Sequence, residues 1–269
     1  MNSEKLINTL TARHHIKSTY LKRTVIIDCY IPLQLNNSAA LPLLLINDGQ
    51  DLIKMPFDDL LDAEIQAGNI EPIFCVGIHC SADRKNEYGT AKVLDYKGRG
   101  TTALSYNFFV MQELLPFLRS HYSIYTFKDK SFAGFSLGGL SALDMVWNHA
   151  EEFSKVGIFS GSLWWRDVDQ YDKTFDENIN RIMHRQIEQD AYKPWLKFFF
   201  EVGTQDETND RNGNGIIDSI DDTQGLIKIL HAKGYSHQSV EYLELQNGRH
   251  DVPTWASAFP AFLRWGWGR

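Results

Sequence analysis

The stretch "FAGFSLGGLSAL" runs from Phe132 to Leu143 and sets Ser136 between Gly134 and Gly138. A serine hydroxyl is a poor nucleophile at neutral pH, so it does chemistry only beside a histidine base held by a third group. The preceding "SFAGF" reads as a strand and the following "GGLSALDMVWNHA" as a helix. Ser136 therefore falls at a strand-to-helix corner, where a tight turn lifts the hydroxyl above the sheet and crowding demands small neighbours. The helix N-terminus lends positive potential to an oxyanion formed there. By itself the same pattern also describes an ordinary tight turn, so its partners decide.

Nine histidines compete for the role of base. His14 and His15 lie too early, His149 and His231 end helical patterns, and His184 and His237 read as solvated. His79 ends a strand before the serine and reads as a neighbour of the site. His250, in "LQNGRHDVPTW", lies between the last strand and the last helix on a glycine-bearing loop, after the serine in chain order. The orienting acid belongs between them at a strand end, and "WLKFFFEVGTQDETND" supplies Asp206, with Glu207 and Asp210 as close competitors. The oxyanion calls for two backbone donors: Leu137 N–H, directly after the serine, and Gln50 N–H in "LPLLLINDGQDL". The second stretch would also form a plain turn.

These residues need a scaffold, and the chain alternates apolar runs with amphipathic stretches almost throughout. Strands are predicted at His15–Tyr20, Thr24–Pro32, Leu41–Asn47, Ile73–His79, Ser131–Phe135, Lys155–Ser160, Leu196–Gly203 and Ser239–Leu245. Helices are predicted at Phe57–Gln66, Ala103–His121, Gly139–His149, Ile179–Gln189, Thr223–Ala232 and Thr254–Trp265. The alternation predicts one α/β domain over residues 1–269, with a mostly parallel sheet, antiparallel N-terminal strands and helices on both faces. The polar stretch Ser81–Thr102 is too long for an ordinary connection and reads as functional or disordered.

Composition narrows the function classes. Lys and Arg number 27 against 34 Asp and Glu, a net charge of −7, with no dense basic patch. That argues against nucleic acid or an anionic membrane as partner. No apolar run reaches the length of a membrane span. The start "MNSEKLINTL" carries no secretory pattern, and Cys29, Cys75 and Cys80 are too few for a disulfide framework, so a cytoplasmic location is expected.

With these pieces located, the chain resembles the putative esterase family of α/β-hydrolases, which includes enterochelin esterases, feruloyl and acetyl esterases, and relatives of S-formylglutathione hydrolase. The resemblance rests on "INDGQDL", "DRKNEY", "GFSLGGLSAL", "GIFSGSLWW", "EVGTQDE" and "GRHDVPTW", from about Thr24 to Trp265. It implies an α/β-hydrolase fold and a Ser136-Asp206-His250 esterase with no cofactor required for its chemistry, acting on a small-molecule ester. Arg249 stands where many relatives carry glycine. Some siderophore esterases of the group manage with a serine-histidine dyad, which leaves the acid's role open. Trp164 and Trp165 stand where pocket walls would be, or where a core would pack. Arg84 and Glu87 are expected to pair and order the long loop.

A last motif is "DRNGNGIIDSIDD". Its spacing matches a calcium loop: Asp210, Asn212 and Asn214 at positions one, three and five, Gly215 for the turn, the Ile216 carbonyl, Asp218, and Asp221 at twelve. Aspartate at twelve shortens the bidentate reach, and an acidic solvated turn has the same composition. A calcium ion here would fasten the loop after Asp206. Two rivals to the esterase follow from the same residues: a thioesterase of the S-formylglutathione hydrolase kind, and a catalytically silent, calcium-dependent binding module.

Overall fold

The computed structural model describes residues 9–33, 40–124 and 126–269. Eight strands form one sheet in the order β1-β2-β4-β3-β5-β6-β7-β8. They are β1 (Thr9–Lys17), β2 (Thr24–Pro32), β3 (Leu43–Asn47), β4 (Phe74–Ile78), β5 (Lys130–Phe135), β6 (Lys155–Phe159), β7 (Lys197–Gln205) and β8 (Val240–Arg249). β2 runs antiparallel to both β1 and β4, and every pair from β4 to β8 is parallel.

The central strands are continuous apolar runs because both faces are covered. In β3, Leu43 and Leu45 enter one core with the helical residues Tyr106, Leu118, Leu140, Met183 and Leu226. Leu44 and Ile46 point the other way, toward Phe57, Leu61, Phe259 and Phe262. So α1 (Phe57–Gln66) and α9 (Val252–Trp267) cover one face. The other face is covered by α3 (Ala103–Phe108), α4 (Leu115–His121), α5 (Leu137–Asn148), α7 (Ile182–Gln189) and α8 (Asp218–Lys233). Two single-turn helices, α2 (Arg84–Glu87) and α6 (Glu177–Asn180), lie in connections.

Several expectations shift. The first strand is Thr9–Lys17 instead of His15–Tyr20, because this edge strand buries little of its side-chain surface and its polar sequence shows weak apolar alternation. Residues 18–23 turn instead, with Ser18 Oγ accepting the Leu21 N–H at 2.9 Å. The predicted helix Ala103–His121 is interrupted by a π-helical segment, Phe109–Leu114, just before Pro116. Proline lacks an N–H and its ring crowds the carbonyl four residues back, which a widened turn relieves. The Ile179–Gln189 helix breaks at Arg181, where φ is −75° and ψ is 105°.

His184, expected in solvent, is 1% exposed. Its Nε2 meets the Asp222 carbonyl at 2.8 Å, and burial pushes its pKa down to about 3. Cys29 and Cys75 are buried free thiols and Cys80 is partly buried. Among the described residues no helix is long and apolar enough to cross a membrane. Most of the opening stretch behind the leader expectation, residues 1–8, lies outside the described residues.

Candidate active site

Ser136 sits between β5 and α5 with φ 55° and ψ −122°. Few non-glycine residues adopt positive φ, and strain of this kind persists only where the surroundings over-determine it. Here they do. The Ser136 N–H donates to the Phe159 carbonyl at 2.8 Å, and the Ser136 carbonyl accepts from Gly139 at 3.0 Å and from Ser162 at 3.0 Å. The two motif glycines meet inside the turn: a Cβ on Gly134 would lie 2.3 Å from the Gly138 carbonyl oxygen. The G-x-S-x-G spacing is therefore a packing requirement. Ser136 Oγ lies 3.5 Å from Ser162 Oγ.

His250 stands on the two-residue link between β8 and α9, its side chain 39% exposed. The Asp251 side chain caps α9 by accepting the Thr254 N–H at 3.0 Å, and Arg249 N–H donates to Thr254 Oγ1 at 2.9 Å, so both neighbours of His250 are pinned. The Trp255 ring meets the imidazole edge-on at 5.3 Å. Trp255 Nε1–H in turn donates to Ser160 Oγ at 2.9 Å.

Asp206 follows β7, and its Oδ2 lies 3.9 Å from His250 Nδ1. Its side chain is 1% exposed, and among the described residues neither carboxylate oxygen has a hydrogen-bond partner. A buried carboxylate without a donor is costly. The imidazole facing it needs to advance by about 1 Å to supply one, and catalytic hydrogen bonds are often long before substrate binds. The acid's position depends on Gly203, where a Cβ would come within 2.4 Å of Gly248 on β8 and 2.7 Å of Asp206 Oδ1. Of the competitors, Asp210 turns to the N–H groups of Asn214 and Gly215, at 3.1 and 2.8 Å. Glu207 accepts from Asn209 Nδ2 at 3.1 Å.

The donor loop after β3 packs on the N-terminus of α5. Asn47 Nδ2 donates to the Gly138 carbonyl at 2.8 Å, and a Cβ on Gly138 would lie 2.5 Å from Asp48 Oδ2. Leu137 opens α5, and Gln50 is the second residue of a 3₁₀ turn, Gly49–Lys54. Amides at such positions point out of a helix start without an internal partner. The Gln50 side chain is anchored elsewhere, its Oε1 accepting the Cys80 N–H at 3.1 Å.

Sequence reasoning missed what braces this loop. Asp48, 2% exposed, is clasped by Arg84 through two bonds of 2.7 Å, and Arg84 also donates to the Phe135 carbonyl at 3.2 Å. Arg84 and Glu87 do not pair with each other as expected. Glu87 is bound by Arg23 at 2.6 and 2.7 Å. Each acid takes the cation nearest it in space, which sequence neighbourhood does not reveal. The start of the long segment from Ser81 to Thr102 is thus a brace between the β3 loop and the turn before β2. His79, expected to border the site, meets Asp28 on β2 at 2.8 Å.

Glu201 was also missed. It lies on β7, 1% exposed, and burial together with the nearby Asp206 charge pushes its pKa up to about 8. A lone carboxylate inside the apolar run "KFFFEVG" was the available signal. The tryptophan pair divides: Trp165 is fully buried, packed against Gly89, and is a core residue instead of a pocket wall. Trp164 lines a cavity with Tyr96, Arg99 and Arg166.

The acidic loop closes on itself. Asn212 Oδ1 accepts the Asn214 N–H at 3.1 Å and Asn214 Oδ1 accepts the Ile216 N–H at 2.8 Å. Asp221 faces the side-chain amides of Asn212 and Asn214 at 3.0 and 3.4 Å. Asp218 does not join them, because it accepts the Arg211 N–H at 2.8 Å and lies 3.3 Å from the Arg211 guanidinium. That guanidinium, 6% exposed, also holds Glu177 and Asp222 at 2.7 and 2.6 Å. Among the described residues no group of three or more His, Cys, Asp or Glu is placed to hold a metal ion.

A mostly parallel eight-stranded sheet, helices on both faces and a serine at the β5–α5 corner define an α/β-hydrolase fold. A family model described as "Putative esterase" matches residues 18–265, and the chain belongs to that family. Among solved structures it is similar to an enterochelin esterase from Shigella flexneri, with a TM-score of 0.72 and 21% identity over 96% of this chain and 58% of that one. A ferulic acid esterase matches with a TM-score of 0.71 and 15% identity, covering 96% of this chain and 97% of its own. An IroE-like serine hydrolase from Shewanella oneidensis matches with a TM-score of 0.70 and 20% identity, over 95% of this chain and 79% of its own. The chain spans just over half the length of the enterochelin esterase it resembles.

Proposed function

We propose that the protein is a serine carboxylic-ester hydrolase working through an acyl-enzyme intermediate. The observation that carries this reading is the strained Ser136, held at φ 55° on the corner that begins α5. Family membership and the esterase relatives point the same way.

In the proposed cycle Ser136 Oγ attacks the ester carbonyl carbon while His250 takes the hydroxyl proton. The carbonyl oxygen, now negative, sits against the N–H groups of Leu137 and Gln50 and the N-terminus of α5. When the intermediate collapses, the carbon–oxygen bond to the alcohol breaks and His250 returns the proton to the leaving oxygen. Water, deprotonated by His250, then attacks the acyl carbon; the bond to Ser136 Oγ breaks, His250 returns the proton to that oxygen, and the acid leaves. Asp206 orients the imidazole through Nδ1 and stabilises it when charged. No cofactor is assigned to this chemistry.

The enterochelin esterase and the ferulic acid esterase suggest siderophore and feruloyl esters as substrates, and the family resemblance adds carbohydrate-linked acetyl esters, all small molecules. Calcium is proposed only as a fastener of the loop after Asp206, held by Asp210, Asn212, Asn214 and Asp221. The function is tested with p-nitrophenyl acetate and a fluorophosphonate probe. The wild type should turn over the ester and be labelled, and Ser136→Ala should do neither. An unlabelled wild-type protein would leave the silent binding module as the better reading.

A further inference from the structure

Ser162, whose N–H and hydroxyl both meet Ser136, leads within two residues to Trp164. Trp164 is one wall of a cavity of 280 Å³, bounded also by Tyr96, Lys97, Arg99, Arg166 and Glu207. The cavity wall thus begins two residues along the chain from Ser136's partner Ser162 and includes Glu207, the residue after Asp206.

Its charge is unusual. Arg166 is 9% exposed, and among the described residues its Nε has no hydrogen-bond partner. Its guanidinium sits among the rings of Tyr96, Trp164 and Phe175 at 5.9, 5.9 and 5.7 Å. Among the described residues no carboxylate lies within ion-pair distance of it. Other inward-facing arginines are paired: Arg99 with Asp95, Arg181 with Asp222, and Arg211 with Asp222 and Glu177.

The acids lining the same cavity do not compensate Arg166. Asp218 is engaged by Arg211 and Glu207 by the Asn209 side-chain amide, and neither carboxylate reaches the Arg166 guanidinium. Lys97, exposed and against the Tyr96 ring, adds a further positive charge at the mouth. A buried guanidinium without an anion is held at a cost that a bound anion removes. Its planar fork fits a carboxylate through two parallel bonds, and the surrounding rings favour a flat, apolar body behind that carboxylate.

We propose that this cavity is a carboxylate-recognition subsite, selecting esters whose acyl or alcohol part carries a free carboxylate on a planar or apolar body. The proposal rests on the esterase reading for its meaning in catalysis, but not for binding. Arg166 supplies the fork, Trp164 and Tyr96 the walls, and Lys97 the long-range attraction.

Two measurements separate the readings. The first compares p-nitrophenyl hydrogen glutarate with its neutral methyl ester, in the wild type and in Arg166→Gln, Arg166→Lys and Lys97→Ala. The wild type should prefer the acid. Arg166→Gln should cost the acid about tenfold or more in kcat/KM, mostly through KM, and at least fivefold more than it costs the neutral ester. Arg166→Lys should restore part of the preference, and Lys97→Ala should weaken it two- to threefold in a salt-dependent way.

The second measurement is calorimetric binding of 4-methoxybenzoate and of its methyl ester to the wild-type protein and to Ser136→Ala. The carboxylate should bind and the methyl ester should not. Binding without any hydrolysis would keep the subsite and sink the esterase. Equal losses for acid and neutral ester, or no binding of the carboxylate to the wild type, would overturn the subsite. Should Arg166→Gln fail to fold, the wild-type preference and the Lys97→Ala effect decide.

Discussion

The Asp206 carboxylate faces His250 Nδ1 across 3.9 Å while 1% of its side chain reaches solvent. Among the described residues neither oxygen has another donor, so the acid is buried for the imidazole's benefit or for none. Asp206→Asn should keep the shape and lose the charge, and kcat for a p-nitrophenyl ester should fall by about 10³–10⁴. Thermal stability should hold, because a lone buried charge is removed. A fall of less than tenfold in kcat would mean the serine and histidine work as a dyad.

Glu201 gives a prediction that depends on pH. Its ordinary value of 4.5 is pushed up to about 8 in the folded chain, by burial first and the Asp206 charge second. Between those values the folded protein keeps a proton that the unfolded chain has lost. This contribution is therefore full below pH 4.5 and is lost as pH climbs through 8, on the order of several kcal/mol. Glu201→Gln cannot ionise, so its stability should fall less steeply than the wild type's between pH 5 and 8. Chemical denaturation across that range measures it, and parallel curves for the two proteins would refute the assignment.

Arg84 braces the loop that offers the Gln50 amide. Its two bonds to Asp48, whose side chain is 3% exposed, are the sort whose breakage strands a charge. Arg84→Met should cost about 3 kcal/mol, at the lower end for a buried pair because Arg84 is partly exposed. It should also lower kcat more than it raises KM, since the loop carries an oxyanion donor. The double variant Arg84→Met/Asp48→Asn should recover most of the stability but not the rate. Full recovery of the rate would remove the loop from catalysis.

The elbow has no room for a methyl group. Gly138→Ala would drive Cβ to 2.5 Å from Asp48 Oδ2, and Gly134→Ala would drive it to 2.3 Å from a carbonyl oxygen that cannot rotate away. Both should lose about 1–3 kcal/mol of stability and most fluorophosphonate labelling, with Gly134→Ala the worse of the two. An active, stable Gly134→Ala would show that the turn tolerates another geometry.

The calcium proposal has its own check. Millimolar calcium, but not magnesium, should raise the wild-type melting temperature by a few degrees, and Asp210→Ala should abolish the rise. Chelator should leave initial ester turnover within twofold. An unchanged melting curve would identify the loop as self-sufficient around Arg211.

The class of fold was legible in the sequence because it depends on local regularities. Leu43–Asn47, Phe74–Ile78 and Phe132–Phe135 are short, apolar and turn-bounded, which marks strands covered on both faces. Ser136, Leu137 and His250 could be picked out for the same reason, since each sits at a junction that near neighbours announce. The first strand and the π-helical interruption were not legible, because an edge strand has little to bury and Pro116 alone does not say how a helix will absorb it.

Side-chain partnership was decided only by the tertiary structure. Nothing within a few residues of Asp206, Glu207 or Asp210 says which carboxylate faces the imidazole; that depends on how Gly203 and Gly248 let two strand ends close. Arg84 reaches Asp48 instead of Glu87, Asp218 goes to Arg211 instead of a metal loop, and Trp165 is core while Trp164 is wall. Among the described residues Arg166 Nε is left without a partner. Sequence spacing governs what a residue's own backbone does, whereas charges and rings find partners by distance in space, and that distance exists only once the sheet is assembled.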